Sequence, residues 1–280
     1  MGTTPVMTTT LRPAGPLQQS TDGTKSRTYD VCVNSRPVGR IQLATHPLFG
    51  PRVAEILDLR IDERDRRRGR GTVAALAAEE VARGWGCARI ELKVLAAAPG
   101  ALDLATALGY VERNRSMSKP LPPTPPALPD GVRARPMTDA EFQDWTAHAT
   151  EAYARDWIER GVPEAEARDK VARDQARLLP DGLATPGTRL SVLAEADTVV
   201  GTLWIADRDD ATFVYDVEVR EEHRGRGHGR SLMLLAERQC REAGGTRIGL
   251  NVFAGNTPAL RLYESLGYEP DAYFLYKPLL

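Results

Sequence analysis

The chain has 280 residues, 42% of them hydrophobic and 27% charged, with a formal net charge of −1. That mix excludes a collagen, a coiled coil and bulk disorder, and the length suits two average domains better than one. No apolar run approaches the ~18 residues of a membrane-spanning helix. The N-terminus lacks the basic-then-apolar order of a secretory signal. The three cysteines, Cys32, Cys87 and Cys240, are too scattered for a disulfide framework or a zinc site, so a cytoplasmic protein with no bound metal is expected. The near-neutral total hides an asymmetry: residues 1–130 carry 18 basic against 13 acidic side chains, residues 131–280 carry 19 against 25. The halves could attract each other, and a basic half could meet a phosphate-bearing ligand.

In chain order, residues 1–27 are rich in Thr, Pro, Gly and Ser and read as a flexible tail with at most one short strand, near residues 10–13. A first domain is expected over 28–121. Between Lys119 and Gly131 stand six prolines, which favour polyproline II and cannot donate to a ladder, so 122–130 reads as a semi-rigid linker. The second domain, 131–280, starts with a strand over 132–137. A helix over 138–160 follows, opened by a capping box of Thr138 with Glu141 and closed by Gly161. A second helix covers 163–179, with proline at its start. Three strands, over 189–194, 198–206 and 212–220, are expected to be antiparallel neighbours. A helix over 229–243 has Leu232, Leu235, Ala236 and Cys240 on one stripe, which makes Cys240 a core thiol. A strand over 247–253, a helix over 257–266 ended by Gly267, and two last strands beginning at Tyr268 and Tyr273 complete the plan.

Sliding the sequence by 158 residues exposes an internal repeat. Asp58 falls on Asp216; Arg66, Gly69 and Gly71 fall on Arg224, Gly227 and Gly229; Leu108-Gly109-Tyr110 falls on Leu266-Gly267-Tyr268; and Lys119-Pro120-Leu121 falls on Lys277-Pro278-Leu279. The register holds without a gap, so the chain is two copies of one domain. Where the second copy has two helices, the first has only a short stretch.

In the second copy the strand ending Tyr215-Asp216-Val217-Glu218-Val219 runs into Arg224-Gly225-Arg226-Gly227-His228-Gly229-Arg230, and a helix follows at once. Glycines let backbone N–H groups approach a ligand closely, and the first N–H groups of a helix have no internal acceptor. With the helix dipole they make a cradle for a pyrophosphate, and three arginines add positive charge. The backbone does that work, so the His228 side chain is incidental. The position in mid-domain, after a meander, and the missing P-loop Lys-Ser/Thr argue against dinucleotide binding and nucleotide hydrolysis.

This segment resembles the coenzyme A motif of the GNAT superfamily of N-acetyltransferases, Arg/Gln-x-x-Gly-x-Gly/Ala. The run from Leu250 through Asn256 and Tyr263 to Gly267-Tyr268 is similar to that family's second motif. The resemblance covers nearly all of 131–280, and with the repeat it implies a tandem protein. The implied fold is α+β: two domains, each a twisted, mostly antiparallel sheet flanked by helices. The implied activity is acetyl transfer from acetyl-CoA, a co-substrate, to an amine of a small molecule or peptide, by direct attack in the second domain. The resemblance also assigns roles. Backbone groups of Val217 and Val219 would pair with the pantetheine arm; N–H groups from Arg224 to Arg230 would hold the pyrophosphate; Asn256 would bond the pantetheine; Arg261 would approach the phosphates. Tyr263 would protonate the leaving thiolate, and Glu218, which shares a strand face with Asp216, would take the proton of the amine. Either carboxylate could serve as that base.

The first copy departs at telling places: Tyr263 becomes Ala105, Asn256 becomes Ala98 and Glu218 becomes Arg60. Its arginine-glycine cradle survives, so the first domain is expected to be catalytically dead, as a CoA binder or as scaffold. A non-catalytic acyl-CoA-binding module, or an acyltransferase using an aminoacyl-tRNA or acyl carrier protein, is the alternative. Neither a membrane nor a nucleic acid is an expected partner, and the oligomeric state is not legible. Trp145, Tyr153 and Trp157 would line an acceptor pocket or form the core face of their helix.

Overall fold

The computed structural model describes residues 8–208 and 211–279. The chain packs as two compact units, Met1–Asn114 with Ala272–Leu280, and Arg115–Asp271. This differs from two consecutive domains: residues 272–280 complete the first unit, and residues 115–121, expected in the first domain, belong to the second.

The first unit runs through β1 (Thr9–Pro13), β2 (Gln18–Gln19), β3 (Lys25–Val33), β4 (Arg36–His46), β5 (Gly50–Ile61), α1 (Arg70–Gly84), β6 (Arg89–Leu95) and α2 (Pro99–Ala107). The short strand expected near residues 10–13 is β1, while β2 and the start of β3 also fall inside the stretch expected to be a flexible tail. β1 pairs antiparallel with β3 from Thr9 opposite Val33 to Pro13 opposite Tyr29, and its Leu11 packs on the core. The part of the tail before residue 8 lies outside the described residues. β3, β4 and β5 form an antiparallel meander, and β5 then runs parallel to β6 over Val53–Ile56. The next strand, β7 (Val111–Pro120), leads out of this unit.

The second unit continues with β8 (Val132–Pro136), α3 (Asp139–Glu159), α4 (Glu164–Leu178), β9 (Thr188–Glu195), β10 (Thr198–Arg208), β11 (Ala211–Val219), α5 (His228–Glu242), β12 (Arg247–Phe253) and α6 (Thr257–Ser265). The last strand, β13 (Glu269–Pro278), is a single strand where two were expected. Its residues 272–278 pair antiparallel with β6, from Ala272 opposite Leu95 to Pro278 opposite Arg89. In the second unit β8, β9, β10 and β11 are antiparallel, β11 and β12 are parallel, and β7 lies beside β12. The capping box opens α3 as its sequence requires: Thr138 accepts from the Glu141 N–H, and Glu141 accepts from the Thr138 N–H at 2.9 Å. The proline-rich stretch after β7 lies against the second unit. Leu121 and Leu128 join its core, and Arg241 donates to the Pro123 carbonyl at 3.3 Å.

The two faces of the second sheet are covered differently. α5 and α6 bury Leu232, Leu235, Cys240 and Tyr263 against Leu203, Ile205 and Val214. α3 closes a smaller aromatic cluster on the other face, with Trp145, Leu190, Val192 and Trp204. Buried apolar area of this kind contributes roughly 25 cal/mol per Å². Cys32, Cys87 and Cys240 are free and buried. Among the described residues no helix is long and apolar enough to cross a membrane.

Candidate active site

The site forms where β11 parts from β12. Their parallel ladder joins Thr212–Val214 to Ile248–Leu250 and, among the described residues, stops there. Next to that point Tyr215 is an extra residue in the β10–β11 ladder, because Trp204 opposes Asp216 while Ile205 opposes Val214. A bulge of this kind bends the strand and re-aims its side chains. Residues 215–219 therefore run on with an open edge toward β12, and the backbone of Val217 and Val219 lies on that stretch. Their side chains pack against the core shared with α5, so Asp216 and Glu218 point to the opposite face, toward α3.

The loop beyond Val219 is fixed by Arg224, whose Nε donates to the Val219 carbonyl at 3.2 Å. Gly225 and Gly227 have φ of +77° and +87°, a region that favours glycine, and a Cβ at either would meet nothing within 4 Å. Gly227 is the residue before α5, and no side chain caps the helix among the described residues, so the first-turn N–H groups face this open space. Gly229 serves packing instead: a Cβ there would approach Leu262 Cδ2 at 3.2 Å. His228 is buried, its Nε2 3.8 Å from a Glu195 carboxyl oxygen, so its side chain points inward and only its backbone faces the cradle. Arg226 donates to the Glu222 carbonyl at 3.2 Å and Arg230 to Ser265 Oγ at 2.6 Å, while Arg261 is exposed.

Across the opening, Asn256 caps α6: its Oδ1 accepts from the Ala259 N–H at 3.2 Å. The cap uses the amide oxygen, so the amide N–H groups are not spent on it. About two turns further, Tyr263 is buried, 6% exposed, with its ring 6.0 Å from that of Tyr268. Burial first, and then the negative charge of Asp216, push its phenol up to about 12. Asp216 is half-buried, and burial of its carboxyl pushes it up to about 6. The Trp145 Nε1–H, donating to Oδ2 at 2.9 Å, works against that rise, the Glu218 charge adds to it, and His148 lowers it. Glu218 is more open, 35% exposed, and its Oε1 lies 3.1 Å from His148 Nε2.

Thus the structure gathers Asp216, Glu218 and Tyr263 around the strand opening and sets the glycine cradle at its end. Trp145 is both core and site, because it packs in the α3 cluster and bonds Asp216. Tyr153 and Trp157 meet Phe253, the last residue of β12, at ring distances of 6.3 and 5.4 Å, and Arg160 lies 4.2 Å over the same ring. His148 was not singled out in the sequence. Its signal was its place three residues after Trp145, on the same helix face.

The sequence profile of the acetyltransferase (GNAT) family matches residues 8–110 and 142–268. Among curated proteins, the uncharacterized N-acetyltransferase YycN of Bacillus subtilis is 29% identical over 154 residues, 53% of this chain and 99% of that protein. The mycothiol acetyltransferase of Thermobispora bispora is 33% identical over 72% of this chain and 68% of its own length. That of Propionibacterium freudenreichii is 31% identical over 61% of this chain, which spans about half, 55%, of that protein. Among solved structures, a GCN5-related N-acetyltransferase from Sphaerobacter thermophilus superimposes with a TM-score of 0.57 at 20% identity, covering 90% of this chain and 80% of that one. A tandem GNAT protein from the clavulanic acid biosynthesis pathway gives 0.50 at 19%, covering 94% and 85%.

Proposed function

The chain belongs to the acetyltransferase (GNAT) family, and from that premise we propose that its second unit transfers an acetyl group from acetyl-CoA to an amine of a small molecule or peptide. Acetyl-CoA is the co-substrate this family uses, and the glycine loop and open strand edge of the second unit support its binding there. The N–H groups of 224–230 and the two left-handed glycines would take its pyrophosphate. The open backbone edge at Val217 and Val219 would take the pantetheine arm as an added strand. The Asn256 amide N–H groups would bond that arm from the other side, and Arg261 would approach the phosphates. His228 would contribute its backbone alone.

The amine attacks the thioester directly, so no side-chain nucleophile is needed. Tyr263 protonates the departing thiolate. With its phenol near 12, it keeps its proton across the whole neutral and mildly alkaline range. Glu218 takes the proton of the amine, with Asp216 as the alternative acceptor. The observation that carries this reading is the buried phenol of Tyr263 in electrostatic reach of Asp216, beside both the strand opening and the glycine cradle. At the matching positions the first unit has Ala105, Ala98 and Arg60.

Incubation with acetyl-CoA and a panel of primary amines, following free thiol, tests the proposal. Turnover with at least one amine is the expected result. Saturable acetyl-CoA binding without turnover across the panel would contradict it and make the protein a binding module. Turnover that falls steeply with salt and needs a macromolecular donor would point to a carrier-borne acyl group.

A further inference from the structure

α3 lays two successive contacts on the two carboxylates of β11. Trp145 donates its indole N–H to Asp216 at 2.9 Å, and His148 sets Nε2 3.1 Å from Glu218 Oε1. The contacts differ in kind. An indole N–H only donates, so it fixes Asp216 in place. An imidazole both takes and releases a proton near neutral pH, and this one is 63% exposed to solvent. Glu218 thus shares a strand face with Asp216 and has a solvent-exposed imidazole beside it. An exposed ion pair by itself is worth only ~0–1 kcal/mol and implies no function. What distinguishes this one is that its carboxylate shares a strand face with Asp216, the group coupled to Tyr263.

We propose that His148 is the proton outlet of Glu218, a positioning residue that clears the proton released by the acceptor amine to solvent; the proposal rests on the acetyl-transfer reading above. As the C–N bond forms and the C–S bond breaks, the thiolate takes the Tyr263 proton. The ammonium gives a proton to Glu218, which passes it to Nε2 of neutral His148. The Nδ1 proton of His148 leaves to water, and Tyr263 is reprotonated from solvent, so a neutral amine yields amide and thiol with no net proton change. Among the described residues Glu218, at 3.1 Å, and Asp216 of β11 act on the imidazole, and in sequence Asp144 and Glu151 stand one turn before and one turn after it on α3. Glu151 is held by Arg168 of α4 at 2.9 Å.

Thiol release from acetyl-CoA is measured with butylamine, spermidine, lysine and glucosamine, between about pH 5 and 9 where imidazole titrates, for the wild type, His148→Ala, His148→Gln and Tyr263→Phe. With the amine turned over fastest, His148→Ala should lower kcat by ~10-fold or more and leave KM for acetyl-CoA unchanged. The low-pH limb should change shape, and added imidazole should restore the rate in proportion to its concentration. His148→Gln, which keeps a hydrogen bond to Glu218 but carries no proton, should be as slow as the alanine variant. Full activity of the glutamine variant, or an alanine variant with a wild-type pH profile and no imidazole response, would overturn the proposal while Tyr263→Phe stays slow and the acetyl-transfer reading stands. No thiol release by the wild type with any amine would overturn that reading, and the proposal with it.

Discussion

The two units share a scaffold and differ in what it carries. In each, the parallel ladder ends at equivalent positions, Ile56 opposite Leu92 and Val214 opposite Leu250, and the adjacent antiparallel ladder has one extra residue, Leu57 or Tyr215. In each, an arginine Nε closes the loop on a strand carbonyl, Arg66 on Ile61 and Arg224 on Val219, and a left-handed glycine, Gly69 or Gly227, precedes the helix. Even the buried ion pairs correspond: Lys277 with Glu79 under Tyr110, and Lys119 with Glu237 under Tyr268. Only the second unit has α3 and α4 over one sheet face, a carboxylate at 218, an amide at 256 and a phenol at 263. The strand opening and the glycine loop belong to the scaffold, and the side chains proposed for the chemistry are a separate layer on it.

The largest effect should come from treating the two cradles alike. Gly69 and Gly227 have φ of +71° and +87°, and a Cβ at either meets open space. Glutamate there costs similar backbone strain, on the order of 1–3 kcal/mol, so the pair is a matched control. Gly227→Glu should abolish thiol release by putting bulk and negative charge where the proposed pyrophosphate site lies. Gly69→Glu should leave chemistry intact or lower it only through stability. Loss of activity in a well-folded Gly69→Glu protein, with Gly227→Glu active, would assign the reaction to the first unit.

A second comparison is between the two carboxylates on β11. Glu218→Gln should lower the rate at neutral pH by ~10²-fold and remove the enzyme's part of the low-pH limb. A wild-type pH profile would pass the role to Asp216 or to water. At high pH the rate should not decline until the phenol ionises, near 12.

The smallest effect is on stability. Asp216 sits at about 6 in the folded chain, above its ordinary 3.8. Between those values the folded state keeps a proton the unfolded state has lost, so this group's contribution falls as pH rises from about 4 to about 6 and stays low above. Asp216→Asn should therefore gain on the order of 1–3 kcal/mol at pH 7.5, the low end being expected for a half-buried group, and nothing at pH 3.5. Equal gains at both pH values in denaturant titrations would remove charge burial as the cause.

Much of this was legible in residue order. The gapless 158-residue register, the Thr138–Glu141 box and the Arg-x-x-Gly-x-Gly run are local signals, and they gave the repeat, the helices of the second unit and the left-handed glycine loop before α5. The exchange of last strands was not legible, for a physical reason. Lys119-Pro-Leu and Lys277-Pro-Leu are the same words, and each satisfies a buried glutamate in the same way, so either strand fits either unit by sequence. The short strand near residues 10–13 was legible, but β2 and the start of β3 were not, because they are held by pairing along β3 rather than by any apolar pattern of their own. His148 was missed because its one local signal, a place on the Trp145 face of α3, implies no chemistry until β11 sets a carboxylate beside it.

The central claim is that a phenol in the second unit completes the reaction that the cradle makes possible. Tyr263→Phe tests it most directly, because it keeps the ring and removes one proton. The account predicts that kcat falls by ~10²-fold or more while acetyl-CoA is bound as tightly as by the wild type. Unchanged turnover in that variant would contradict it.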